Sequence, residues 1–185
     1  MEKELSNVKG FWMATRTGKK INPGNMDKED VDIEDIAWSL SHLCRYNGHC
    51  DYFYSVAQHS VYVSKVVESL GGDPKKGLIH DATECYLGDM VKPVKTRPDM
   101  KGYVDLEDKV MNTIGKAFGF YTPIMTDIVK KADNIVLFSE KDQIIKYPMD
   151  WGWGNDIPRM KEKIKPMYPK EAYDFFMNRY NKLFK

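Results

Sequence analysis

Few cysteines, no long apolar run and no surplus of either charge sign narrow what this chain can be. Cysteine occurs three times, at Cys44, Cys50 and Cys85, with no CxxC spacing and one thiol left without a partner. That usage argues against a disulfide framework and reads as reduced thiols in a cytoplasmic protein. Cys44 and Cys85 sit among apolar neighbours, where a free thiol packs as a small hydrophobe. No apolar run approaches the ~20 residues of a membrane span, and the opening MEKELSNVKG has no apolar h-region. Lys+Arg 28 against Asp+Glu 27 leaves a net charge of +1. A nucleic-acid polymer or a membrane is therefore not an expected partner, and any basic character must be local.

What is present is helical periodicity. The 185 residues, 42% hydrophobic and 30% charged, suit one soluble domain with a sizeable core. Residues 11–21, FWMATRTGKKI, alternate loosely around Thr17-Gly18 and predict a short N-terminal β-hairpin. Ile33, Ile36, Ala37, Leu40, Leu43 and Cys44 predict a first helix from Asp32 to Tyr46, stopped by Asn47-Gly48. Ser55 caps a second helix that Gly71-Gly72 ends. Asp73-Pro74 opens a third, running through His80, Asp81 and Glu84 to Gly88. Beyond the loop DMVKPVKTRP, helices are predicted over Asp99–Phe118, from Thr122-Pro123 to Lys146, and after Tyr168-Pro169. The stretch YPMDWGWGNDIP reads as a loop, and Trp12, Trp38, Trp151 and Trp153 as packing residues. The expectation is a mainly α bundle of about six helices, with a core over 11–145 and a helical extension over 146–185.

One run departs from an apolar helix face. GLIHDATE places His80-Asp81 where the helix should be most apolar, and a buried Asp is costly unless paired or bound to a cation. With His59 upstream and Asp133 downstream, the chain offers two nitrogen donors and two carboxylates, a set that a divalent metal takes. Neighbouring helices of a bundle can bring such donors to one ion. Four protein ligands leave positions open on a metal that prefers five or six, which points to catalysis rather than a staple. Glu84, one helical turn beyond His80, shares its face and can move a proton. Arg45 offers a fork that binds phosphate bidentately. Taken singly, these residues have plainer readings: a satisfied core histidine at His59, a surface carboxylate at Asp133, a solvated lysine at Lys95 or Lys130. His42 reads as structural, and His49 has no assigned task.

The motif His59 … His80-Asp81 … Asp133 resembles the signature of HD-domain metal-dependent phosphohydrolases. The run HDATECYLGDMVKPVK, residues 80–95, is similar to the 5'-deoxynucleotidase branch, with its HDA, Glu, GD and PVK pattern. Upstream, DIEDIAWSLSHLCRYNGHCDYFYSVAQHSVYVSKVV is similar to small phage-encoded members that include dATP triphosphohydrolases. The resemblance covers about residues 11–145. It implies an HD-domain helical bundle, metal ligation by His59, His80, Asp81 and Asp133, and proton transfer at Glu84. It also implies that Asp89 orients the deoxyribose near its 3'-hydroxyl and that Arg45 holds phosphate. Tyr46 stands where the bacterial deoxynucleotidases carry Trp, and can stack on a base. Pro93 belongs to the PVK motif at the substrate site, and Lys95 and Lys130 match lysines that hold the phosphate tail. The implied reaction is hydrolysis of deoxynucleoside triphosphates, dATP first, to deoxynucleoside and triphosphate by water attack at the α-phosphate. The alternatives are a 5'-deoxynucleotidase acting on dNMPs, a nucleotide-sensing module without turnover, and a bundle whose metal is only a staple. Intact Glu84 argues against the sensor. Zn, Mn, Co and Fe(II) all suit the donors, and Mg²⁺ can accompany the triphosphate. The resemblance further implies a homo-oligomer, in the host cytoplasm if phage-encoded.

Overall fold

A computed structural model of the chain describes residues 11–147 and 149–185. The stretch 1–10, read above for a leader, and Pro148 of the aromatic loop lie outside the described residues.

The expected hairpin is present: β1 (Met13–Ala14) pairs antiparallel with β2 (Lys20–Ile21), Met13 opposite Ile21 and Ala14 opposite Lys20. Its turn is tied to the bundle by Asp35, whose carboxylate accepts from the Thr17 amide at 2.7 Å and the Thr17 hydroxyl at 2.8 Å. The helices that follow are α1 (Ile33–His42), α2 (Val56–Ser69), α3 (Pro74–Ile79), α4 (Glu84–Leu87), α5 (Lys92–Lys95), α6 (Lys101–Ala117), α7 (Asp127–Ile144) and α8 (Pro169–Phe184). The fold is mainly α, as the periodicity predicts. Asp32, Ser55, Asp73 and Thr126 each accept a bond from a first-turn amide, which fixes where α1, α2, α3 and α7 begin.

Helix α2 is the axis of the bundle, in contact with α1, α3, α7 and α8. Apolar and small polar residues surround it, and ten of its 14 residues are buried, the pattern of a helix enclosed by protein. One apolar cluster beside it includes Ile36, Leu40, Val61, Ile79, Ile114 and Phe176. Another is built on Tyr54, Val63, Val67, Val129, Val136 and Ile144. Gly77 permits the close approach of α3 to α2: a Cβ there would lie 2.9 Å from the Ser64 Cα. That approach sets His80 against the α2 face that carries His59.

Several boundaries differ from expectation, each for a physical reason. Helix α1 ends at His42 rather than Tyr46, because Cys44 pairs with Ser55 in a β-bridge. The Arg45 amide donates to the Tyr54 carbonyl at 2.9 Å and the Val56 amide to the Leu43 carbonyl at 3.0 Å. Arg45 therefore opens a 3-10 turn, Arg45–Gly48, in which Tyr46 (φ 58°) and Asn47 (φ 50°) are left-handed. The predicted third helix breaks after Ile79 and resumes at Glu84. The PVK segment, expected as loop, forms the single turn α5. Helix α7 starts at Asp127, later than Thr122-Pro123, because Ile124 is drawn into the core and Thr126 supplies the cap. Cys85 joins the core, whereas Cys44 is only half-buried. Trp38 packs against Tyr173, and Trp151 and Trp153 pack against Phe138. Trp12 is 47% exposed under Lys20 instead of packing inside. Among the described residues, no helix is long and apolar enough to cross a membrane.

Candidate metal centre

His59 lies in the buried middle of α2, fully enclosed. Its Nδ1 is 2.6 Å from Glu140 Oε1 on α7. An ionised carboxylate only accepts, so the proton sits on Nδ1 and the Nε2 lone pair is directed away from Glu140. His80 repeats this arrangement, with Nδ1 2.9 Å from the Gly77 carbonyl oxygen. Both Nε2 atoms are buried and have no hydrogen-bond partner. Two aimed nitrogens without partners are what a metal site requires, because the bond at Nδ1 fixes tautomer and ring plane.

The carboxylates converge on the same point. Asp133 Oδ1 lies 3.2 Å from His59 Nε2; Asp81 Oδ2 lies 3.2 Å from His80 Nε2 and 3.6 Å from His59 Nε2. The donor atoms of His59, His80 and Asp133 all fall within 4.8 Å of one another. Donors ~2.1 Å from one ion at ordinary coordination angles lie ~3.0–3.5 Å apart. His59, His80 and Asp133 are thus gathered closely enough that they could hold a metal ion, and Asp81 stands beside both histidines.

The break in the third predicted helix makes this possible. After Ile79 the hydrogen bonds tighten to i→i+3: the Ala82 amide donates to the Ile79 carbonyl at 2.9 Å, and the Glu84 amide to the Asp81 carbonyl at 3.0 Å. In such a turn residues three apart eclipse one another. Such a turn brings Glu84 near Asp81, whose charge acts on it.

The electrostatics follow from burial and crowding. Burial and the Arg45 guanidinium both press the His59 pKa down, yet Glu140 and Asp133 overcome them and hold it up at about 9. Burial raises the Asp81 pKa, but His80, His59 and Arg45 outweigh it and keep the carboxylate well below its usual range. Burial likewise opposes ionisation of Asp133, but His59, 3.2 Å away, outweighs it and lowers the pKa. Glu84 goes the other way: burial first, then the nearby Asp81 and Asp89 charges, push its carboxyl well up. Its Oε2 is buried without a hydrogen-bond partner. Asp89 is raised mainly by burial as well.

Arg45 reaches this cluster from its turn, with Nη1 3.6 Å from Asp81 Oδ2 and Nη2 3.4 Å from Glu140 Oε2. Tyr46, expected to stack on a base, turns its hydroxyl inward and donates to Glu140 Oε2. Asp89 lines a cleft of about 290 Å³, together with Asn47, Leu87, Gly88, Val91 and Val94. A larger groove of about 420 Å³, between α2 and the segment 158–162, contains none of the expected site residues. Pro93 is exposed on α5. Lys95 is paired with Glu107 of α6. Lys130 is 61% exposed and lies 4.0 Å from Asp127.

Glu140 was not anticipated from the sequence. It is fully buried and receives His59, Tyr46 and Tyr54, the last at 2.8 Å. The signal was its spacing, seven residues after Asp133 and so two turns along the same face of α7. Glu107 and Tyr103, the latter donating to the Gly88 carbonyl at 3.3 Å, are further α6 residues near the cleft that sequence patterning does not mark.

No family model matches the chain. It is 34% identical over 149 residues to the uncharacterized protein RCAP_rcc00048 of Rhodobacter capsulatus, covering 74% of each chain. It is 37% identical over 175 residues to the uncharacterized protein YfdR of Escherichia coli (strain K12), covering 93% of this chain and 95% of that one. With that identity over nearly the whole of both chains, the protein belongs to the YfdR family.

Proposed function

We propose that this protein is an HD-type, metal-dependent phosphohydrolase that cleaves deoxynucleoside triphosphates, dATP first, at the α-phosphate. The reading is supported by one observation above all: the buried Nε2 atoms of His59 and His80, each with its Nδ1 engaged and neither with a partner. His59, His80, Asp81 and Asp133 would hold a divalent transition metal such as Zn, Mn, Co or Fe(II). Such an ion supplies Lewis-acid polarisation of a phosphoryl oxygen and a lowered pKa for bound water. The chain's own groups do the rest. Arg45 sets a fixed positive charge beside the centre, where charge spreads over the phosphoryl oxygens. Glu84 accepts a proton from the attacking water as its oxygen bonds to phosphorus. It returns that proton to the departing 5'-oxygen, so the P–O ester bond breaks to give a neutral deoxynucleoside. Asp89, at the wall of the cleft, can accept from the sugar 3'-hydroxyl.

A second reading, a 5'-deoxynucleotidase acting on dNMPs, is favoured by the lysines. Lys95 is occupied by Glu107 and Lys130 lies in solvent beside Asp127, so no grip for a phosphate tail stands ready. Product analysis on a panel of dNTPs and dNMPs with several divalent metals separates the two. Intact triphosphate released from dATP supports the first reading; dAMP cleavage with dATP untouched supports the second. Metal-loaded protein that hydrolyses neither overturns the enzyme reading.

A further inference from the structure

We infer that Glu140 is a positioning residue that aims His59 at the metal and holds Arg45 at the phosphate, one task for each carboxylate oxygen. The inference rests on the metal reading above. Oε1 receives the His59 Nδ1 at 2.6 Å and the Tyr54 hydroxyl at 2.8 Å. Oε2 receives the Tyr46 hydroxyl and faces the Arg45 Nη2 at 3.4 Å. The carboxylate is fully enclosed, a position that is costly for an ionised group unless its lone pairs are used. Here both oxygens are used, by groups from three separate stretches of chain.

The two oxygens serve different ends. On the Oε1 side, the bond fixes the tautomer and tilt of His59, and Tyr54 braces the same oxygen against rotation. On the Oε2 side, the anchored object is the turn Arg45–Gly48, whose two non-glycine left-handed residues must be held by their surroundings. Its backbone is tied by Arg45 to the Tyr54 carbonyl and by His49 to the Tyr46 carbonyl. The hydroxyl of Tyr46 on Glu140 ties down its side-chain end. Arg45 precedes Tyr46, so fixing that ring fixes where the guanidinium stands. Asp133 and Glu140 ride the same helix two turns apart, and the ligand and its support keep a constant separation.

The test measures Mn²⁺ and inorganic phosphate binding by calorimetry, with melting temperatures, on wild-type protein and on Glu140→Gln, Tyr46→Phe and Tyr54→Phe. Glu140→Gln should bind Mn²⁺ about 10–100-fold more weakly and should also lose phosphate affinity. Tyr46→Phe spares the bond to His59 and should keep wild-type Mn²⁺ affinity while phosphate binding drops. Tyr54→Phe should do the reverse, weakening Mn²⁺ more than phosphate. Glu140→Gln with wild-type Mn²⁺ affinity overturns the inference. If Glu140→Gln does not fold, the two tyrosine variants decide: equal losses of both ligands in each would mean general loosening and overturn it too. Wild-type protein that binds no Mn²⁺ overturns the metal reading itself, whereas metal-binding wild type with an indifferent Glu140→Gln overturns the role of Glu140 alone.

Discussion

Replacing Gly88 by alanine tests how the chain is turned between Glu84 and Asp89. Gly88 sits at φ 81°, ψ 159°, a region essentially closed to residues with a side chain. An added Cβ would meet nothing within 4 Å, so packing contributes no penalty and the whole cost falls on the backbone. That cost is about 1–3 kcal/mol. For a chain of this size each kcal/mol moves the melting temperature by about 2–4 °C, giving an expected fall of about 2–12 °C. The backbone can escape only by rotating, which disturbs the Gly88 amide's 2.8 Å bond to the Glu84 carbonyl and swings Asp89 away from the cleft. Gly102→Ala is the matched control: its Cβ would also meet nothing, but it lies inside α6 without a left-handed φ. Alanine there should stabilise by about 0.5–1 kcal/mol. Urea unfolding and thermal melting of both variants give opposite signs if the reasoning holds. A Gly88→Ala protein that melts within about 1 °C of wild type would refute the backbone account.

Asp81→Ala or His80→Ala should strip bound metal and abolish hydrolysis, as checked by elemental analysis beside the activity assay; an active, metal-replete Asp81→Ala protein would end the ligand assignment. Glu84→Gln keeps the shape but moves no proton, so turnover should fall by ~10²–10⁴ with metal still bound. Near-normal turnover would transfer the proton step to another group. Lys95→Ala or Lys130→Ala should impair dATP hydrolysis roughly 10–100-fold more than dAMP hydrolysis, the worth of one charge-assisted contact; equal effects on both substrates would return these lysines to solvent.

That His59, His80, Asp81 and Asp133 would lie together is legible because an Asp beside a His in an apolar run has few structural uses, and the structure brings these side chains to one place. Glu140 was not, because in the run SEKDQ it is indistinguishable from a solvated helix carboxylate until α2 is laid beside α7. The end of α1 was missed for a similar reason. The apolar spacing runs on through Leu43 and Cys44, and only the distant pairing with Ser55 draws the chain out of the helix. The break after Ile79 has no marker such as proline, since His80 to Thr83 all tolerate an α-helix. Lys95 was read from motif position alone, which says nothing of Glu107 twelve residues later on another helix.

Amides in the middle of α2 can meet solvent only when the four helices around it separate together, so their hydrogen exchange should report global unfolding. Lys95 stands instead on the single turn α5 at the surface, whose few hydrogen bonds open locally at far lower cost. The two elements therefore keep different clocks. On warming, the turn that carries Lys95 loosens first and recovers on cooling, while the packing around His59 is lost only when the axis of the bundle gives way.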